Sequence, residues 1–261
     1  MKQSELEGLQ NWFADYVATF DDIPYPGQQN IRLKIEHTRM VCRMMNRLTE
    51  GEKMNDADCT LAAAVALLHD VGRFPQYRRW GTFRDAASDN HARLAIETIS
   101  EHNILCDLDA TERLMVEEAV RFHNLLALPE RYKSPTDRFI RLIRDADKLD
   151  IWRVFVEHFS KPSDQRASAV TLGFPELPGV SMPCLEQLLA GEVVRLDSVT
   201  SVNDFKLLLL SWVFDLNFAS SYRMLRHDGY CESLALLLPN EDKVRSALNL
   251  VKQYIERKIS A

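Results

Sequence analysis

Apolar residues recur at three- and four-residue intervals through most of this chain, and no stretch alternates with period two for long enough to demand a strand. The pattern predicts an all-α fold. Leu6, Leu9, Trp12, Phe13, Tyr16, Val17 and Phe20 share one face of a first helix, with Ser4 and Glu7 as its capping box. Pro24 and Pro26 mark a turn into a second helix that stops near Gly51. Asn55 or Asp56 caps a third, which ends at Gly72. Residues 73–86 read as a polar and aromatic loop containing Pro75 and Gly81. Two more helices follow, separated near Asp107, and Ser134-Pro135 is an N-cap and N1 pair for a long helix reaching about Phe159. Beyond it the Pro- and Gly-rich run LGFPELPGVSMP weakens the pattern, leaving a short helix at 184–190. Residues 204–226 predict a long apolar helix stopped by Gly229, and Asn240 caps a last amphipathic one. Residues 1–160 are expected to form a helical core, and 161–261 a helical extension packed on it.

The polar residues that break these apolar stripes are few and of one chemistry. His37 shares its face with Leu33, Met40, Val41 and Met44; His91 precedes Leu94 and Ala95; His123 follows Ala119 and Val120. His69 and Asp70 emerge together from the apolar run 61–68. An imidazole and a carboxylate leaving a buried helix are costly to desolvate unless something pairs with them, and a divalent cation takes both as ligands. One buried histidine alone is more often bonded to backbone. Four on separate helices, beside a His-Asp pair, point to a metal centre. Three aspartates compete for the distal position. Asp145 keeps company with Arg141, Lys148 and Leu149, a polar edge. Asp150 reads as an outer partner or an exposed charge. Asp147 shares a stripe with Ile143, Ile151 and Val154, which selects it.

In this order, His37, His69-Asp70 and Asp147 within Asp145-Ala146-Asp147-Lys148-Leu149, the set resembles the HD-domain superfamily of metal-dependent phosphohydrolases. His91 and His123 fall where members with a two-metal centre add two histidines, and HDVGRFPQYRRWGTFRDAASDNHA is similar to one bacterial subgroup. These motifs run over 37–150, under half of the chain. Arg73 stands where many two-metal relatives carry Lys, which keeps the charge and changes its geometry. The resemblance implies an HD-domain helical bundle with a C-terminal helical extension. It implies that His37, His69, Asp70 and Asp147 hold one ion, and that Asp70 bridges to a second held by His91 and His123. One or two divalent ions per chain are expected, and Mn, Fe, Co, Ni, Zn and Mg all suit these N and O donors. The implied activity is hydrolysis of a phosphomonoester or phosphodiester, with a nucleotide the expected substrate, by attack of a metal-bound hydroxide, with Asp70 and Arg73 catalytic. Two alternatives share the scaffold: a di-iron oxygenase with the same ligand set, and a non-catalytic signalling domain.

Arg73, Arg78, Arg79 and Arg84 lie within twelve residues directly after the His-Asp pair, interleaved with Tyr77, Trp80 and Phe83. Guanidinium forks match phosphate oxygens and aromatic rings stack on bases, so these four and Lys148 are the expected substrate-binding residues. Arg73, one turn past His69, is the one expected to face the metals. His102, His158 and His227 have no companion at ligand spacing. Composition narrows the setting. A net charge of −6 argues against a nucleic-acid-coating protein, and no stable nucleic-acid complex is expected. Five cysteines without regular spacing fit free thiols in a reducing compartment. The start MKQSELEGLQ has no apolar signal core, and no apolar run approaches the ~20 residues that span a bilayer, so a cytoplasmic protein without membrane contact is expected. No Gly-rich phosphate loop occurs, so a nucleotide must bind through metal and side chains. Oligomeric state is not written in the pattern.

Overall fold

The computed structural model describes residues 1–125, 135–161 and 170–260, and among these it is all-helical with no strand. The chain divides into two compact units, Met1–Asp150 and Ile151–Ala261. The division falls inside the long helix rather than after it. In the first unit, α1 (Gln3–Ala18), α2 (Gly27–Gly51) and α6 (Ala110–Phe122) all pack on α3 (Asp56–Leu68). That central place explains the composition of α3: Leu61, Ala62, Ala64, Val65, Ala66, Leu67 and Leu68 are all buried, on every side of the helix. Alanines let the neighbours approach closely, and Asn55 Oδ1 caps the helix by accepting from Asp58 N–H at 2.9 Å. α4 (Arg73–Trp80) packs on α5 (His91–Glu101), which packs on α6. The first unit ends within α7 (Pro135–Ser160), at Asp150, and includes the part that carries Asp147 and Asp150.

Three expectations are corrected. The first helix begins at Gln3, and its entry is tied by Lys2 N–H donating to the Glu5 carboxylate at 2.6 Å, two residues before the predicted box. The stretch after Gly72 is not loop from the start. Arg73–Trp80 is helical because Pro75 sits in the first turn, where no intrahelical N–H is needed, and Gly81 at φ +64° ends it. The predicted long helix over 204–226 is broken. α8 (Met182–Leu189) is followed by α9 (Val202–Ser211), a 3₁₀ turn at Trp212–Asp215 and α10 (Ala219–Asp228). Carbonyls freed at the break find donors: Tyr222 O–H points at Val213 O (2.9 Å) and Leu216 O (3.0 Å), and Trp152 indole N–H donates to Leu209 O at 3.0 Å. An apolar stripe continues across the break, so periodicity alone does not show it. α11 (Tyr230–Ala235) and α12 (Asp242–Ser260) complete the second unit, with α12 packed on α8 and α10. The predicted cap Ser134 lies outside the described residues. No helix among them is long and apolar enough to cross a membrane.

Candidate metal centre

Each histidine reaches the centre by a local device. His69 and His123 are the C-cap residues of α3 and α6, where the last carbonyls lack intrahelical partners. Their Nδ1 atoms lie 2.8 Å from Ala66 O and 2.7 Å from Val120 O, each three residues back. A carbonyl only accepts, so Nδ1 carries the proton and Nε2 the lone pair. His37 and His91 are oriented by carboxylates instead. His37 Nδ1 lies 2.7 Å from Asp150 Oδ2, and His91 Nδ1 lies 2.7 Å from Asp85 Oδ2. All four Nε2 atoms turn inward around Asp70.

The carboxylate of Asp70 spans them. Its Oδ2 is 3.6 Å from His37 Nε2 and 3.7 Å from His69 Nε2; its Oδ1 is 3.6 Å from His91 Nε2 and 4.0 Å from His123 Nε2. Two groups of closely set donors result, His37–His69–Asp70 and Asp70–His91–His123. Asp147 Oδ1 stands 3.1 Å from His37 Nε2 and 3.9 Å from His69 Nε2, on the side of the first group. His37 Nε2 and His69 Nε2 are buried with no hydrogen-bond partner among the described residues. His91 Nε2 and His123 Nε2 face each other at 3.1 Å. Lone pairs set against lone pairs in a buried pocket repel unless a cation lies among them, and nitrogen and carboxylate donors suit a divalent metal. The donor set fits such an ion, with Asp70 common to both groups.

The electrostatics agree. Burial pushes His91 down to about 4, with the Arg73 charge adding to it, and pushes His123 down to about 4, with His69 adding to it. Burial also lowers His69, against the pull of Asp70 and Asp147. His37 goes the other way: burial and Lys34 would lower it, but the flanking carboxylates of Asp147 and Asp150 hold it above its ordinary 6.5. Asp70 stays well below the usual carboxylate range, because Lys34, His69, Arg73 and His91 outweigh its burial. For the metal-free protein this sets a pH dependence. Between pH 6.5 and about 4 the unfolded chain protonates at His91 and His123 while the native state does not. Their contribution is full above pH 6.5 and is lost as pH falls through 4; the raised His37 opposes this with a single group. The thermal midpoint of metal-free protein is therefore expected to fall as pH is lowered from 7 to 4, and a divalent ion added at pH 6 should raise it. A flat profile would contradict the burial of two neutral imidazoles.

Residues 35–152 match the HD domain family. The match covers a little under half of the chain. No curated protein and no solved structure matches the chain. HD domains bind divalent metals and are typical of metal-dependent hydrolases, which suits the two His/Asp groups.

The other residues singled out in the sequence fall into three places. Arg73 is at the HD centre, with Nε 3.4 Å from Asp70 Oδ1 and an amino group 3.3 Å from His91 Nε2. One arm of its fork is already engaged, however: Nη1 donates to Phe83 O (2.6 Å), Asp85 Oδ1 (2.9 Å) and Gln76 Oε1 (3.0 Å), while Nε is buried with no hydrogen-bond partner among the described residues. Arg78 is turned away, to Thr19 O and Asp22, with its guanidinium over the Phe20 ring; Arg79 lies against Trp80. These two line a cavity with α1, α5 and His102, which none of the four histidines of the centre lines. Arg84 is exposed and Lys148 is buried on α7. Asp145 corrects the reading of the α7 faces, since it is fully buried rather than on a polar edge.

Sequence reasoning missed Lys34, Gln76 and Asp85. Lys34 Nζ is 2.7 Å from Asp70 Oδ2, and the signal was present, because Lys34 lies three residues before His37 on the same helix face. Asp85 had none: it sits in a 3₁₀ turn, Asp85–Ala87, outside any periodic stripe. The fully buried Gln76 amide donates to Asp85 Oδ1 (2.9 Å), Ser88 Oγ (2.8 Å) and Asp89 O (2.9 Å), fixing that turn. Asp85, held down to about 2 because hydrogen bonding to His91 and the charges of His91 and Arg73 overcome its burial, in turn fixes the His91 tautomer. Loss of an outer partner to a metal-binding histidine costs roughly 10–100-fold in metal affinity. Asp85→Ala is expected to lose that much affinity in the Asp70–His91–His123 group while leaving the His37–His69 side near wild type, measured by two-site calorimetric titration with Mn²⁺.

Proposed function

We propose that this protein is a metal-dependent phosphohydrolase that cleaves a phosphomonoester or phosphodiester, with nucleotides its preferred substrates. The observation that carries the reading is the single carboxylate, Asp70, shared between two groups of inward-facing imidazole nitrogens. A divalent pair bound there supplies Lewis acidity and an acidified water for displacement at phosphorus. The chain's own residues do the rest. His37, His69 and Asp147 would hold one side, His91 and His123 the other. Asp85, Asp150, Ala66 O and Val120 O lock all four rings as acceptors toward the centre.

Access supports an anionic substrate. The side chains of His37, His69 and Asp70 are 5% exposed or less, whereas Asp147 is 22%, Lys34 17% and Arg73 15% exposed. The more exposed groups of the centre are thus two cations, Lys34 and Arg73, and two carboxylates, Asp147 and the Asp85 already paired with Arg73 and His91. A doubly charged phosphate there meets positive charge in a partly desolvated pocket, where such contacts weigh most. The test is a metal-reconstituted screen of nucleotides, cyclic nucleotides and simple phosphate esters under anaerobic conditions. Phosphate or nucleoside release without oxygen supports the reading. Oxygen-dependent turnover by the iron form with no phosphate released, or metal binding with no turnover of any ester, overturns it.

A further inference from the structure

Two cations reach Asp70 in this centre, and they are held in opposite ways. Arg73 donates to Phe83 O, Asp85 and Gln76 besides facing Asp70, so freeing its fork breaks several bonds at once. Lys34 has no hydrogen-bond or ion-pair partner other than Asp70 among the described residues; the Phe83 ring, 5.6 Å from its Nζ, is its remaining neighbour. The oxygen it takes is Oδ2, the one that faces His37 Nε2 and His69 Nε2. An ammonium and a divalent ion held by those nitrogens would therefore claim the same oxygen. Two cations sharing one oxygen repel, and the one on a flexible four-carbon stem at the open side is the one that yields.

We propose that Lys34 is an exchangeable counter-ion: it neutralises Asp70 in the empty centre, and when an ion takes that charge it turns to bind the anionic oxygen of the substrate. The second half rests on the phosphohydrolase reading; the first does not. A lysine suits both duties because it is a compact point charge with three rotatable donors, whereas Arg73 is built into its surroundings. The inference predicts opposite effects of one substitution on two ligands. In Lys34→Gln, Mn²⁺ should bind roughly tenfold more tightly, since a competitor for Asp70 is gone. Inorganic phosphate should bind the Mn²⁺-loaded protein about 10–100-fold more weakly, since a charge-assisted contact is lost. Lys34→Arg, which keeps the charge, should stay near wild type in both.

Calorimetry with Mn²⁺ alone, then with phosphate on the loaded protein, reads both effects. A Lys34→Gln protein that binds Mn²⁺ no better than wild type overturns the counter-ion role. One that binds phosphate as well as wild type does overturns the substrate role. If loaded wild type itself binds no phosphate, the phosphohydrolase reading fails instead, and the Mn²⁺ arm still judges Lys34. Wild-type protein gives an answer without any variant: acylation followed by peptide mass spectrometry should show Lys34 modified several-fold faster with Mn²⁺ than without, relative to the exposed Lys53. Phosphate should slow it again. Labelling of Lys34 unchanged by Mn²⁺ overturns the exchange.

Discussion

Asp70→Ala is expected to empty both halves of the centre and abolish turnover while the chain still folds. The two oxygens of this one carboxylate lie 3.6–4.0 Å from four different imidazole nitrogens, and Asp70 is the member common to both groups. Removing it takes a ligand from each, and the loss should exceed the ~10–100-fold typical of an outer partner. It also leaves Lys34 and Arg73 beside uncharged space, which further disfavours a divalent cation. Asp70→Asn separates shape from charge, since it keeps one acceptor oxygen without the negative charge. Both variants should lose metal, measured per chain by elemental analysis after dialysis, with little change in urea midpoint. Wild-type metal content in folded Asp70→Ala would remove Asp70 from the centre.

Gly72→Ala should produce the largest loss of stability from a single methyl group. The residue has an ordinary right-handed conformation, so backbone strain is not the reason. A Cβ at this position would stand 2.2 Å from His91 O and 2.3 Å from Ala95 N, both backbone atoms of α5 that cannot rotate away. The helix must move, and overpacking of this kind costs about 3 kcal/mol, at the upper end of its usual range. α5 carries His91 as its first residue, so the same shift pulls His91 from Asp70 and Asp85. Urea unfolding should show the lost stability, and Mn²⁺ titration a weakened second group. Retention of both would mean that α5 tolerates displacement.

The histidine stripes were legible because helical periodicity reports which face of each helix is buried. His37 among Leu and Met, or His123 after Ala119 and Val120, is out of place on such a face unless something meets it there. The all-α class followed from the same pattern. Helix ends were legible where chemistry marks them, as at Asn55 and Gly229. The break between α9 and α10 was not, because the freed carbonyls of Val213 and Leu216 are met by the Tyr222 hydroxyl from six to nine residues away, a contact that periodicity does not record. Arg78 and Arg79 show the same limit from the other side. Their spacing after the His-Asp pair put them near the centre, but helical geometry in α4 turns them toward α1 and α5.

By itself, then, the sequence determined the all-α class and the inward histidines, which rest on interactions within a few residues. Only the tertiary structure decided how those faces meet. It set one Asp70 oxygen against each pair of imidazoles, delivered Asp85 to His91 through a turn held by Gln76, gave Arg73 to the protein's own acceptors and left Lys34 with Asp70. These are contacts between segments far apart in the chain, fixed by close approaches such as Gly72 against α5. Periodicity records that a face is buried, not which atoms it is buried against.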